Sequence, residues 1–476
     1  MRGCVNDANM DMTGRLFPTH KHVDDCAILA RRARELIRDI YPICRSITGD
    51  GVRETLARVA RLIPLEVSEV PSGTPVFDWE IPREWDIRDA YVADSSGRRV
   101  IDFRAHNLHV LSYSTPIRAK LPLAELRAHL YTLPQQPDRI PYRTSYWRES
   151  WGFCLTQRAL DAMPEGEYEV LIDAELKPGS LTYAECLVRG ESSEEFLIST
   201  HVCHPSLAND NCSGIALAAL LAEQLGRGKP RLSYRFLFAP GTIGSIAWLS
   251  RNRDDLRRLR GGLVIGLLGD PGQLTFKRSR RGNSEVDRIA AGVVRELDPA
   301  ARLLDFSPYG YDERQFCSPG FDLPVGRLTR SANDMYPEYH TSGDNLELIR
   351  VDALAQSMLA LLRIVERVDI NRRYRNLRPF GEPQLGKRGL FRATGGVDPG
   401  EFEHALLWVL NQSDGGRGIL DIAAASGLPQ AVVQQAADAL AAAGLVEEVV
   451  AETSACKHRN ERTAGDGVRM NQGEIP

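Results

Sequence analysis

The stretch Phe196–Gly214, FLISTHVCHPSLANDNCSG, constrains this chain more than any other. It opens on an apolar run, Phe196-Leu197-Ile198, that reads as a buried strand. It then crowds His201, Cys203, His204, Asp210 and Cys212 into a polar loop, and Ile215-Ala-Leu-Ala-Ala-Leu-Leu-Ala opens a helix. Strand, polar loop and helix in that order place the loop at the carboxyl end of a strand, where open α/β sheets hold their ligands. Imidazole, carboxylate and thiolate are donors that zinc takes. Two further polar loops lie downstream. Gly310–Gly320, GYDERQFCSPG, is dense in charge and turn residues, and Tyr336–Asn345, YPEYHTSGDN, carries His340. Each neighbours an apolar strand, so the three loops can converge at one edge of one sheet.

The 476 residues allow two to four domains. Hydrophobic residues make up 43% and charged residues 26%, an ordinary soluble composition. A net charge of −4 gives no sign of a nucleic-acid or membrane surface. No run approaches the roughly 18 apolar residues that a membrane span needs. The N-terminus lacks an apolar signal region. Nine cysteines form no regular framework and read as reduced thiols, hence a cytoplasmic expectation.

Along the chain, residues 1–22 read as disordered, 24–40 and 52–62 as amphipathic helices, and 76–133 as a β-rich insert punctuated by turns. Trp79, Trp85, Phe103 and Tyr113 are expected in the core of that insert or against the main domain. The aromatic, basic stretch 142–154 reads as a packed connector, or as a wall of a substrate cleft through Arg143, Tyr146 or Trp147. Residues 166–176 and 181–188 alternate as two strands around Lys177-Pro-Gly, consistent with a hairpin. From 196 to 368 strands and helices alternate, which argues an α/β sheet. The expected boundaries are an α/β domain over 23–75 and 134–370, a linker over 371–400, a winged helix over 401–450 and a disordered tail over 451–476.

The motifs HxxH…AND-N-x-SG, DERQ and YPEYHTS-x-DN resemble those of the zinc aminopeptidase superfamily, which also holds the glutaminyl cyclases. More closely, residues 30–450 resemble a bacterial family of aminopeptidase-like proteins with a small inserted β-domain and a C-terminal winged helix. The resemblance implies a mixed α/β sheet flanked by helices. It also implies metal ligands at His201, Asp210 and His340, with one zinc or two. His204 either adds a ligand or buttresses one.

Two departures stand out. Cys203 occupies the place of a family Asp. Gly241, in Ala-Pro-Gly-Thr-Ile-Gly-Ser, occupies the place of a family Glu and is expected to leave open space there. Glu338 and Glu313 are then the candidates for the missing base. Asp312 and Glu313 read as ligand, base or partners of Arg314, with Asp312 and Arg314 as candidate substrate contacts. Asp344 and Asn345 bind a substrate amine or orient His340. Asp270 is a further candidate ligand at a strand end.

Three functions stay open. One is zinc-dependent hydrolysis of an amide in a small aminoacyl or peptidyl substrate. The second is a catalytically weakened scaffold that binds a ligand or partner. The third is a single-zinc transferase or cyclase. The expected recognition helix of the winged helix, residues 429–443, contains no Lys or Arg. It reads as a packing or homo-oligomerising module rather than a DNA reader, because DNA affinity requires phosphate neutralisation. A gel shift with random duplex DNA should therefore show no sub-micromolar, salt-sensitive binding.

Overall fold

The computed structural model describes residues 22–332, 335–390 and 400–449. The expected disordered N-terminus and tail, and the later part of the expected linker, lie outside the described residues. Helices α1 (His22–Ile40) and α2 (Asp50–Val59) lead into β1 (Glu66–Pro71). A β-rich segment follows: β2 (Pro75–Val76), β3 (Trp79–Glu80), β4 (Glu84–Ala93), β5 (Arg99–Asp102) and β6 (Ile117–Pro122). It continues through α3 (Leu123–Leu126), β7 (Leu130–Tyr131), β8 (Phe153–Cys154), α4 (Gln157–Asp161) and β9 (Glu167–Lys177).

Next come β10 (Ser180–Val188), β11 (Glu195–His201), α5 (Gly214–Gly226), β12 (Ser233–Ala239), α6 (Ile243–Arg251) and β13 (Leu259–Ile265). Then follow β14 (Thr275–Lys277), α7 (Glu285–Leu297), β15 (Arg302–Leu304), α8 (Glu313–Phe316), β16 (Val325–Thr329) and α9 (Val351–Ile370).

The main sheet has eight strands in the order β1-β10-β12-β11-β13-β16-β14-β15. Its centre, β12-β11-β13-β16, is parallel, and β10 and β14 flank it antiparallel. Both faces are buried, as the near-continuous apolar runs require. Side chains alternate between two cores. Phe196, Ile198, Tyr234, Phe236, Phe238, Leu263 and Ile265 meet the layer of α1, α5, α7 and α9. Leu197, Leu237, Ala239 and Val264 meet α6 and the β-rich segment. The parallel register sets His201 beside Ala239, so the loops after β11 and β12 leave the sheet side by side.

The inserted sheet corrects two expectations. Its strand order is β5-β4-β9-β6, all antiparallel, so its strand β9 comes from far beyond residue 133. The insert therefore runs to Lys177, and β9 and β10 are not a hairpin: each joins a different sheet. Alternation over 166–188 fits either pairing, and only long-range packing chooses. Trp85 and Tyr113 are buried and stacked, 5.8 Å apart. Trp79 differs from the expectation, at 45% exposed on the small β2–β3 hairpin.

The expected linker begins with a strand, β17 (Arg373–Asn376). It pairs with β18 (Asp414–Gly418) and β19 (Val446–Glu448) around α10 (Glu401–Gln412), α11 (Ile419–Ser426) and α12 (Gln430–Ala442). This unit has its own core of Leu406, Val409, Ile419, Val433 and Leu440. Bidentate Arg288–Asp421 bonds tie it to α7. No described helix is long and apolar enough to cross a membrane.

Arg45, in the loop between α1 and α2, links the first helices to the centre of the sheet. It is 1% exposed. It donates to the carbonyls of His204 (3.0 Å) and Ile40 (2.5 Å), to Thr55 Oγ1 (3.3 Å) and to Cys212 Sγ (3.1 Å). Arg45→Ala strands those buried acceptors. It should lower unfolding free energy by about 3 kcal/mol in urea melts, with Arg45→Lys intermediate because it lacks the fork.

Candidate metal centre

The four loops at the carboxyl ends of the parallel strands meet above β11. His201 is the last residue of that strand, and the loop Val202–Leu207 turns back over it before Ala208–Ser213 coils into α5. The coil is pinned on both sides. Asn209 accepts from Gly269 N (2.8 Å), and Ser213 accepts from Leu268 N (3.0 Å). Asn211 bonds Thr200 Oγ1 (2.8 Å) and the His201 carbonyl (3.0 Å). Gly214 is required where the helix starts, since a Cβ would sit 2.4 Å from Asn211 Oδ1. The Asp344 carboxylate accepts from the backbone N–H of Asn209 (2.6 Å) and Asp210 (3.0 Å).

That scaffold presents Asp210 to three imidazoles. Its Oδ1 lies 2.7 Å from His201 Nε2 and 3.6 Å from His204 Nδ1, and its Oδ2 lies 3.0 Å from His340 Nε2. His201, His204 and Asp210 are 1%, 6% and 2% exposed. They offer one ligand atom each, all within 4.8 Å of one another. The compact trio is therefore His201, His204 and Asp210, and His340 approaches the other carboxylate oxygen. His201 Nδ1 and His204 Nδ1 are buried with no hydrogen-bond partner.

Burial pushes His204 down to about 3 and lowers His201, so both imidazoles are neutral at pH 7. Burial opposes the charge of Asp210, but the imidazoles of His204, His201 and His340 outweigh it and hold the carboxylate well below its usual range. Two neutral imidazoles and an ionised carboxylate, buried and incompletely satisfied, fit a zinc ion.

Cys203 does not join them. Burial pushes its thiol up to about 12, and it points to the Gly241 carbonyl (3.7 Å) and Tyr311 Oη (3.4 Å). Cys212 is bound by Arg45.

The remaining acids make contacts elsewhere, although Asp312 Oδ2 is buried without a hydrogen-bond partner. Glu338 pairs with Arg139 (2.8 Å), and Glu313 is buried against Lys277 Nζ (2.8 Å) while accepting from Tyr311 N (2.9 Å). Burial opposes the Glu313 charge, but Arg327 and Lys277 outweigh it and keep its pKa low. Asp312 accepts from Ser245 Oγ (2.9 Å), and burial raises it to about 7. Asp344 is fully buried, and burial raises it to about 8. It braces the Asp210 backbone and has no face toward a substrate amine. Asn345 accepts from Glu347 N (2.8 Å) and closes its own turn. Asp270 accepts from Asn209 Nδ2 (2.9 Å), Ser331 Oγ (2.6 Å) and Gly272 N (2.7 Å), so it braces loops. Arg314 is half-buried on α8 and is not among the cavity-lining residues.

Gly241 corrects a further expectation. The space beside it is filled: a Cβ there would lie 2.2 Å from Tyr311 Cε1 and 2.4 Å from Tyr311 Oη.

A cavity of about 230 Å³ opens onto His204, His340, Gly241 and Tyr311. Tyr142, Tyr146, Trp147 and Trp79 wall it. The hydroxyls of Tyr142 and Tyr146 bond at 2.6 Å, and the Tyr142 ring stands edge-on to both His204 and His340, 5.1 Å from each. Trp79 and Trp147 lie 5.0 Å apart and are 45% and 55% exposed. Tyr146 and Trp147 thus line the cleft, and Arg143 is exposed and not among its lining residues. Sequence reasoning missed Arg45, Tyr142, Tyr311 and Tyr339, which stacks on His340 at 3.9 Å. Tyr142 carried a signal, lying four residues before Tyr146 in the same aromatic stretch.

A family described as a domain of unknown function, DUF4910, matches residues 34–371. The chain belongs to the DUF4910 family. Residues 372–448 match a winged helix-turn-helix family, as the resemblance implied. A Clostridium acetobutylicum relative is 49% identical over 422 residues, 88% of this chain and 97% of its own. Its name makes it a candidate polysaccharide biosynthesis protein with an aminopeptidase-like domain. A crystal structure of a candidate peptidase from Clostridium acetobutylicum has a TM-score of 0.79 at 48% identity, covering 90% of this chain and 99% of that one. The zinc aminopeptidase of Bacillus subtilis matches at a TM-score of 0.53 and 13% identity, over 71% of this chain and 95% of its own, and shows the shared fold of this DUF4910 chain.

Zinc should raise the melting temperature of chelator-treated protein. His204→Ala and Asp210→Asn should each abolish that rise in differential scanning fluorimetry, because binding to the native state alone stabilises it.

Proposed function

We propose that this chain is a zinc-dependent, aminopeptidase-like hydrolase that cleaves an amide bond in a small aminoacyl or peptidyl substrate. One observation carries the reading: the buried His201–His204–Asp210 group, with two unpartnered imidazole nitrogens, lies next to an aromatic cavity of about 230 Å³. Bound zinc would polarise the carbonyl and acidify water. The chain's own residues do the rest. Tyr142, Tyr146, Trp79 and Trp147 seat a ring or apolar side chain and exclude water from it. Asp344 keeps the Asp210 loop in register. Glu338 and Glu313 are tied up by Arg139 and Lys277, so the proton released by water falls to His340, which Asp210 holds and which lines the cavity. Water adds to the acyl carbon, and the amine leaves with a proton.

The second reading, a weakened scaffold, is favoured by Tyr311 filling the space beside Gly241. A positioned base supplies about 10²–10⁴-fold in rate, so generic peptides should turn over slowly. The Clostridium relative is named for polysaccharide biosynthesis, which motivates adding N-acetylated amino sugars to the ring-bearing substrates tested against the tryptophan walls.

The test is a panel of aminoacyl anilides and N-acetylated amino sugars with zinc present. Slow hydrolysis is expected, faster for Phe and Trp anilides than for Ala, and lost in Asp210→Asn. Turnover that survives Asp210→Asn, or none on any substrate, would overturn the hydrolase reading. Gly241→Glu should not raise turnover, since Tyr311 occupies the position.

A further inference from the structure

Away from the metal centre, a second cavity lies in the seam between the α/β domain and the winged helix. It measures about 290 Å³, near the lower end of the roughly 300–1,000 Å³ that small-molecule sites occupy. Both units line it. Arg260 comes from β13, Arg281 from the turn before α7, and Glu285 and Arg288 from α7. Arg373 on β17 and Asp421 on α11 come from the winged helix. The lining thus carries four guanidiniums and two carboxylates. Ser284 and Gly418, which cap the N-terminal ends of α7 and α11, also line it. The positive ends of two helix dipoles add to the field there.

The four cations are not equally provided for. Arg260 pairs with Glu285 through two bonds (2.5 and 2.6 Å), and Arg288 does the same with Asp421 (2.7 and 2.8 Å). Arg281 bonds Asp322 through Nε (3.2 Å), and Arg280 shares that carboxylate (3.0 Å). The Arg281 side chain is 46% exposed. Arg373 is worse placed. Its Nη2 lies 3.5 Å from Glu194, an acid that Arg260 also approaches at 3.6 Å. Its Nε and Nη2 are buried and make no hydrogen bond. Burial opposes the Arg373 charge and so does neighbouring Arg260, and Glu285 and Glu194 offset this only in part. Buried donors without acceptors are costly, and surplus positive charge around one cavity favours an anion in it.

We propose that the seam cavity binds a phosphate group, free or esterified, between Arg281 of the α/β domain and Arg373 of the winged helix. A phosphate dianion matches the surplus of two positive charges in the lining, and guanidinium forks bond phosphate oxygens in pairs. The forks of Arg260 and Arg288 are already filled by carboxylates, so those two residues shape the cavity and the ligand falls to the other pair. Held from both sides, the phosphate ties the winged helix to the α/β domain. The site stands independently of the metal reading above.

The experiment is isothermal titration calorimetry on the full chain at neutral pH, with orthophosphate, glucose 1-phosphate and acetate as separate titrants at matched ionic strength. Saturable binding of at least one phosphate compound is expected. Arg373→Gln and Arg281→Gln should each weaken it by about tenfold or more, the loss of one charge-assisted pair. Arg281 is partly exposed, so its variant keeps the fold even where the Arg373 variant does not. Chelator-treated protein should bind phosphate as the untreated protein does, which separates this site from phosphate caught on bound zinc. Tighter binding of glucose 1-phosphate than of orthophosphate makes the ligand an ester, and the reverse makes it the free ion. The inference is overturned by no saturable binding of either phosphate compound, by binding lost on chelation, by acetate binding as tightly as phosphate, or by unchanged affinity in folded Arg281→Gln.

Discussion

The Asp210 carboxylate is a buried charge, and much of the surrounding structure exists to keep it one. Isolated in a protein interior, such a group would give up its charge. Here it is surrounded by imidazole nitrogens, its loop is fixed by Asp344 through two backbone N–H groups, and that loop is stapled to the strand end after β13 by Asn209, Asn211 and Ser213. The helix α5 can approach this coil only because Gly214 has no side chain. From the opposite side, Arg45 holds the His204 carbonyl and ties α1 and α2 to the same point. A cation binding here would complete an arrangement already assembled, so little of its binding energy goes into reorganising the chain.

The neighbouring wall shows how a changed residue is absorbed by its surroundings. Protein interiors are close-packed, and a vacated side-chain volume tends to be filled. Beside Gly241 the filler is Tyr311, fixed by a chain of buried contacts that runs through Glu313 to Lys277 and through Asp312 to Ser245. The consequence is electrostatic as well as steric. A phenol whose pKa burial pushes well above its ordinary value is neutral, so Tyr311 itself adds no negative charge to this flank of the centre. The centre's own charge then comes from Asp210 alone among the described groups that could act as ligands around it.

The inserted sheet and the C-terminal unit relate to the site differently. The insert contributes to it directly: the β2–β3 hairpin sets Trp79 against Trp147, and the connector after β7 brings Tyr142 against the imidazoles with Tyr146 bonded to its hydroxyl. Among the described residues none of the winged helix lines the cavity at the centre, and the unit is held by ion pairs to α7 and to Arg231.

What local order could reveal, the sequence revealed. The apolar run before His201, the alternation of strands with helices from 196 to 368, the three polar loops and the helices of the C-terminal unit are short-range patterns, set by periodicities of about 2 and 3.6 residues. They lie where those patterns place them. The union of His201, Asp210 and His340 in one cluster was likewise expected from their loops. Tertiary structure alone decided the rest. His204 became the third member of the compact trio because the loop folds back over β11. Glu338 and Glu313 were removed from the centre by Arg139 and Lys277, which are 199 and 36 residues away in sequence. β9 left its apparent hairpin to pair with β4 and β6. The space beside Gly241 was taken by Tyr311, from a loop 70 residues on. Each of these is a choice between partners that are equally plausible locally, and only the packing of distant segments makes one of them lower in energy.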